Sequence, residues 1–348
     1  MSNNSEGDAR VSPWKNTLKN VALAAFTFFL CLALAELVLR FMGYGNVEIY
    51  EPDPLVYWRL KPNQNCYTKI DHKPVHINAH GTRGADFAVP KPPNTIRILS
   101  LGDSRTFGWG LSDSETYSAR LQEGLQKRLG TSEKVEVINA GVNAWSYPQM
   151  NAFFHARALS WQPDVVILGG ANLWTQFSEQ GDPAFVKQMM ARVRFKNFLR
   201  RFAIYHYVVE VKLKDLYQRE RTKFIPVDPH RDTLFKEQQQ ADPNAVFRYA
   251  IDQLCSTALS NHVRPVLLYI PTQTTLSEQE TTASGDVLRE MAAVSKKRNV
   301  TLLDLTPDLY PRSKELYLEG DPVHLNMAGN EIIGRRLDDV VSSILKHE

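Results

Sequence analysis

Cysteine is scarce in this chain: Cys31, Cys66 and Cys255 are the only three. Cys31 lies in an apolar stretch, which leaves Cys66 and Cys255 as the one pair that an oxidising compartment can join, and no metal-site spacing involves them. Charge of one sign is also short. A net charge of +3, with no zinc-finger or RNA-binding signature, excludes nucleic acid as a partner. No period of twenty to fifty residues recurs, which excludes a solenoid. Beyond Thr95 there are no hairpin signals, which argues against an antiparallel sheet. What remains is globular: 43% hydrophobic and 23% charged residues over 348 positions bury one large core or two modest ones.

One long apolar stretch stands near the amino terminus. Residues 1–20 are polar and carry Arg10, Lys15 and Lys19. Val21 to Ala35 has no charge, and apolar character continues to Met42. Residues 21–42 are long enough to cross a membrane. Glu36 and Arg40, four apart, share a helix face near the far end. Basic residues ahead of the span favour a cytoplasmic tail over 1–20, with everything after Met42 outside. Ala33-Leu34-Ala35 also fits a signal-peptidase site. The long polar lead and the apolar residues after Ala35 favour an uncleaved anchor, and Leu30 before Cys31 argues against a lipoprotein.

Residues 43–94 mix proline, aromatic and polar residues with short strand-like pieces such as Val75-His76-Ile77, and read as an ordered extension. His72, His76 and His80 recur at spacings of four, but Pro74 interrupts the first pair. They read as exposed or hydrogen-bonded histidines rather than metal ligands.

From Thr95 to Glu348 the pattern changes. Apolar runs at Ile96–Leu101, Val135–Ile138, Val165–Leu168, Pro265–Ile270 and Val300–Leu305 have strand length. Helical spacing marks Thr116–Leu129, Val246–Leu259, Val287–Lys297 and Ala328–Leu345. Strand and helix in alternation imply a five-stranded parallel sheet covered on both faces, a three-layer α/β/α domain of the flavodoxin-like kind. An insertion of about 173–242 breaks the alternation and is the natural candidate for a lid. Within it, Phe185 to Val209 holds six basic residues and no acidic one, with apolar residues at helical intervals. That composition suits either a solvated face packed on the domain or an anionic membrane surface.

The chemistry gathers at strand ends. Gly102-Asp103-Ser104 follows the first apolar run, so the serine hydroxyl falls at the carboxyl edge of the sheet, where open α/β folds bind ligands. Asp321-x-x-His324 precedes the last helix. An acid and a histidine at that spacing can hydrogen-bond, which turns the second imidazole nitrogen toward Ser104 and activates a poor nucleophile. Asn139-Ala140-Gly141 and Gly169-Gly170-Ala171-Asn172 follow the second and third strands. The Ser104 and Gly141 backbone N–H groups and the Asn172 amide can serve as oxyanion donors.

These four blocks, in this order, resemble the SGNH/GDSL hydrolases over roughly Thr95 to Leu345, the insertion excepted. Ile77-Asn78-Ala79-His80-Gly81-Thr82-Arg83-Gly84 also looks like the lead-in of membrane-anchored bacterial members. The resemblance implies an α/β/α fold and a serine acyl-enzyme mechanism with no metal or other cofactor. It makes Ser104 the nucleophile, His324 the base, Asp321 its partner, and Gly141 and Asn172 oxyanion donors. Residues Gly102 to Thr106 are not Gly-x-Ser-x-Gly, which disfavours an α/β-hydrolase elbow. Two positions depart from the family pattern: Leu173 stands where many relatives have Asp, and Arg105 follows the nucleophile where a small or apolar residue is usual. Arg105 either contacts an anionic substrate group, pairs with a carboxylate or points to solvent. The expected activity is hydrolysis of a carboxylic ester (lipid, small ester or acylated glycan) outside the cytoplasmic membrane. Acyl transfer to, or deacetylation of, a surface polysaccharide and a non-catalytic binding module are the alternatives.

Overall fold

Pro13–Phe41 forms one uninterrupted helix, α1. Its stretch from Asn16 to Phe41 is long and apolar enough to cross a membrane, and none of its apolar window is buried against the rest of the chain. Arg40 Nε and Glu36 Oε1 pair at 2.8 Å. The computed structural model describes residues 13–47, 50–68, 73–170, 183–213, 243–276 and 283–346.

After α1 come two antiparallel hairpins. Tyr50–Asp53 (β1) pairs with Tyr57–Leu60 (β2), and Gln64–Tyr67 (β3) with Pro74–Ile77 (β4). Asp53 caps the first turn by accepting from the Leu55 and Val56 amides. The hairpins dock on the rest of the chain through polar ties. Trp58 Nε1 donates to the Asn143 carbonyl at 3.0 Å, and Trp145 Nε1 donates to the Trp58 carbonyl at 2.9 Å. His76 meets Asn65 Oδ1, and His80 stacks on Phe87. His72 lies outside the described residues. Cys66 and Cys255 are both buried thiols with no disulfide between them.

The central sheet consists of Thr95–Gly102 (β5), Lys134–Gly141 (β6), Val165–Gly169 (β7), Arg264–Tyr269 (β8) and Thr301–Asp304 (β9). Its order is β6-β5-β7-β8-β9 and every pairing is parallel. That is the five-stranded, flavodoxin-like sheet expected from the apolar runs. β5 is buried along its whole length because helices cover both faces. Its side chains divide between two cores. Ile96 and Ile98 join the face covered by Tyr117–Leu129 (α3), while Leu99 and Leu101 join the face covered by Tyr147–Ala156 (α4). Each such fully buried aliphatic contributes about 1.5–3 kcal/mol. Pro243–Ser260 (α6) and Ala283–Arg298 (α7) share the α4 face, and Met327–Lys346 (α8) packs beside α3. Arg97, fully buried in mid-strand, is neutralised by Glu136 of β6 at 2.6 Å and donates to the Trp161 carbonyl.

Three local outcomes differ from the sequence expectation. β6 runs on through Asn139-Ala140-Gly141, so that block is a strand end rather than a turn, held by the Gly102↔Gly141 pairing. α4 has no counterpart in the sequence reading. Its start is set by a capping box between Ser146 and Gln149 with Pro148 in the first turn, a signal weaker than its irregular apolar pattern. The basic stretch is broken. Pro183–Leu199 (α5) ends, and a new helical turn begins at Ala203 because Glu36 of α1 accepts the Ala203 and Ile204 amides at 2.9 and 3.0 Å. A π-wound segment, His206–Leu213, follows. α5 packs on β1 and β2. The remainder of the insertion expected to act as a lid, 173–182 and 214–242, lies outside the described residues.

Candidate active site

β5 ends in Gly102, and Ser104–Phe107 (α2) starts two residues later. Gly102 permits this abrupt change. A Cβ there would sit 2.0 Å from Thr106 Oγ1 and 2.2 Å from the Gly169 carbonyl, closer than any side chain can approach. Asp103 caps the turn, its Oδ1 accepting the Arg105 amide at 2.9 Å. Ser104 is therefore the first residue of α2, where the backbone N–H has no helical acceptor.

The turn is held from several directions. Thr106 Oγ1 donates to the Gly169 carbonyl at 2.7 Å and accepts from the Tyr117 hydroxyl at 2.9 Å. Burial drives the Tyr117 pKa well above its usual value, so it stays a donor. Asn139 Nδ2 donates to the Thr106 carbonyl at 2.8 Å. Arg83, from the segment before β5, donates to the Phe107 and Gly108 carbonyls at 2.7 and 2.8 Å, and its charge is met by Asp113 at 2.7 Å. Gly108 closes α2 in the left-handed region at φ +83°.

Arg105 does not face an open site. Its Nη2 pairs with Asp103 Oδ2 at 2.6 Å and its Nη1 donates to the Ile270 carbonyl at 2.9 Å. Of the alternatives raised by the sequence, pairing with a carboxylate is the one found, and contact with an anionic substrate group gives way to it. Burial disfavours the guanidinium charge, but the Asp103 carboxylate outweighs that cost and raises the pKa.

The loop before α8 brings the other two groups. His324 Nε2 lies 2.7 Å from Ser104 Oγ, and His324 Nδ1 lies 2.6 Å from Asp321 Oδ2. Asp321 Oδ1 also accepts the Val323 and His324 amides at 2.9 and 3.2 Å. Partial burial works to raise the Asp321 pKa. The bond to His324 and the two amides overcome it and hold the carboxyl below its ordinary value. Leu318 N donates to the His324 carbonyl, and Asn326 caps α8 through the Gly329 amide. Trp109 lies beside the imidazole, ring centroids 5.7 Å apart.

The sequence-predicted residues Ser104, His324 and Asp321 thus meet in one hydrogen-bonded row. Gly141 ends β6 opposite Gly102, but its N–H donates to Asn139 Oδ1 at 3.1 Å, and a Cβ on it would strike the Phe107 amide at 2.2 Å. Its absent side chain makes room for α2. Asn172 lies outside the described residues. Arg83 and Trp109 were not singled out for the site. Arg83 sat within the recognised lead-in, whereas only folding brings Trp109 to His324. Ala144, in the loop after β6, holds φ +64°, a conformation with no trace in the sequence. Among the described residues, no cluster of His, Cys, Asp and Glu is arranged to hold a metal ion.

The model of the GDSL-like lipase/acylhydrolase family matches residues 100–332. The chain belongs to this family. It is, accordingly, a hydrolase of ester bonds. No curated protein matches the chain. Solved structures with a similar fold include a lipase/acylhydrolase from Enterococcus faecalis (16% identity, 71% of this chain and 96% of that one, TM-score 0.43). A psychrotrophic esterase from Pseudoalteromonas sp. is similar as well (16%, 72% and 98%, 0.44). So is an acetylxylan esterase from Geobacillus stearothermophilus, in a catalytic mutant form (15%, 69% and 91%, 0.42).

Proposed function

We propose that this protein is a serine esterase working through an acyl-enzyme, held at a membrane by α1. The observation that carries the reading is the row Ser104 Oγ–His324 Nε2–Nδ1–Asp321 Oδ2, with both links at hydrogen-bond length. His324 takes the Ser104 proton as Oγ attacks the ester carbonyl, and returns it to the departing alcohol oxygen. Asp321 accepts from Nδ1–H, fixing the tautomer and stabilising the transient imidazolium. Water, deprotonated by His324, then attacks the acyl-enzyme, releases the acid and restores Ser104. The Ser104 amide and the Asn172 side chain are assigned to the oxyanion. Gly141 can join them only by giving up its bond to Asn139.

Labelling with a fluorophosphonate tests the activated serine. The parent is expected to label, and Ser104→Ala and His324→Ala are not. A folded parent that stays unlabelled contradicts the proposal. Arg10, Lys15 and Lys19, ahead of the apolar stretch of α1, support a cytoplasmic amino terminus and a catalytic domain on the far side. A reporter fused after Glu348 that works only in the cytoplasm would overturn that placement.

A further inference from the structure

The membrane-facing end of α1 does not stand alone. Glu36 accepts the Ala203 and Ile204 amides, Arg40 Nη2 donates to the Arg201 carbonyl at 2.6 Å, and Gly45 N donates to His206 Nδ1 at 3.0 Å. Gly45 has no room for a side chain, since a Cβ would lie 2.8 Å from Ala203 Cα. The segment following α5 is thus fixed against the last turn of the apolar helix. If that turn is where the chain leaves a bilayer, this segment is at the bilayer surface.

Its composition matches that position. Phe195 and Phe198 are 64% and 51% exposed, and Phe202 extends the stripe, its ring 5.7 Å from that of Phe198. At ~100° per residue, exposed Arg192 and Lys196 fall on one side of the stripe and Arg194 on the other. From Phe185 to Val209 there is no acidic residue. The π-wound segment adds exposed Val208, Val209 and Leu213. At the end of α1, Phe41 and Met42 are exposed too. An aromatic stripe flanked by cations is the chemistry of a helix lying in a headgroup layer. α5 does pack on the domain through β1 and β2, and that packing accounts for its inner face but not for a stripe of outward phenylalanines.

We infer that α5 and the segment through Leu213 form an interfacial membrane contact, with the Phe195–Phe198–Phe202 stripe in the acyl boundary and the flanking cations on anionic lipid headgroups. This rests on the reading of α1 as a membrane span. The contact gives the catalytic domain a second, lateral attachment. α5 in turn packs on β1 and β2, where Asn197 Nδ2 donates to the Tyr50 carbonyl, and that hairpin bonds to the loop after β6 through Trp58. The site is therefore held at a set height and tilt above the lipid.

The test uses the full chain in vesicles, on a Cys31→Ser background, with one fluorophore at Phe29→Cys, Phe198→Cys, Val208→Cys or Glu331→Cys. Quenching is by spin-labelled lipid. Quenching at 29, 198 and 208, with none at 331, is expected in vesicles containing phosphatidylglycerol. It is expected to weaken at 198 and 208, while staying unchanged at 29, in phosphatidylcholine alone and in a triple variant Arg192→Gln, Arg194→Gln, Lys196→Gln. Quenching at 29 without 198 or 208 overturns the inference and leaves the anchor standing. No quenching at 29 overturns the anchor, and the inference with it. Quenching at 198 and 208 that ignores both lipid charge and the triple variant overturns the role given to anionic headgroups.

Discussion

The two halves of the site are built differently. Around the nucleophile, Asp103 and Arg105 expose only 1% and 7% of their side chains. Thr106, Asn139, Arg83 and two glycines fix the α2 backbone from every side. Around the base, Asp321 and His324 are 24% and 17% exposed, and their loop is held mainly by backbone bonds and by each other. The serine is placed by the core, whereas the histidine is placed by its partners. That division suits the chemistry, because Ser104 Oγ must stay aimed while the imidazole receives and delivers protons on alternating sides of one cycle.

Substitutions can separate the halves. Ser104→Ala and His324→Ala remove the reacting atoms, and each is expected to lower kcat by about four to six orders of magnitude without unfolding the protein. Near-parental turnover in either variant would break the account on both sides at once. Asp321→Asn keeps the shape but loses the tautomer control, at an expected cost of about 10³–10⁴ in kcat. Its stability has a pH signature. The folded pKa of Asp321 is lowered from its ordinary value by the bond to His324 and the two amides, so the stabilising contribution is complete above the unfolded value and disappears as pH falls through the lower, folded one. Urea titrations should therefore show the parent more stable than Asp321→Asn at neutral pH, with the gap closing in acid. A gap that widens in acid would contradict the assignment.

Asn172→Ala is expected to reduce kcat by about 10²–10³, as for a single oxyanion donor. A full-rate variant would remove Asn172 from the site. On the locked side the effect should move from rate to stability. Arg105→Ala removes the guanidinium that neutralises the buried Asp103 carboxylate, at about 3–5 kcal/mol, measurable by denaturant unfolding. A variant that stays as stable as the parent but binds anionic esters less well would restore the substrate role for Arg105. The smallest change is expected at Ala144, where Gly relieves a left-handed backbone and should raise stability by about 1 kcal/mol. A destabilised Ala144→Gly would mean that the methyl group packs more than the backbone strains.

The same division decides what could be read in advance. The five strands were legible because a doubly covered sheet writes continuous apolar runs, and β5 obeys that rule from Thr95 to Gly102. Ser104, Asp321 and His324 were legible because each stands next to an element boundary in a fixed order. Three features were not legible. Arg105 carries a charge whose direction depends on Asp103 being buried beside it. The Gly141 amide depends on Asn139 folding back along the strand. The break after Leu199 depends on Glu36, more than 160 residues away, supplying the acceptor that starts a new turn. Each is a tertiary partner overriding a local pattern, which spacing alone does not encode.

The central claim is that Ser104 carries the acyl group. The most direct measurement is intact-protein and peptide mass spectrometry on enzyme acid-quenched during turnover of a slowly deacylating ester. The account predicts a mass increase equal to the acyl group, located on Ser104 and missing from Ser104→Ala. Ester turnover with no adduct at Ser104, and with Ser104→Ala still active, would contradict it.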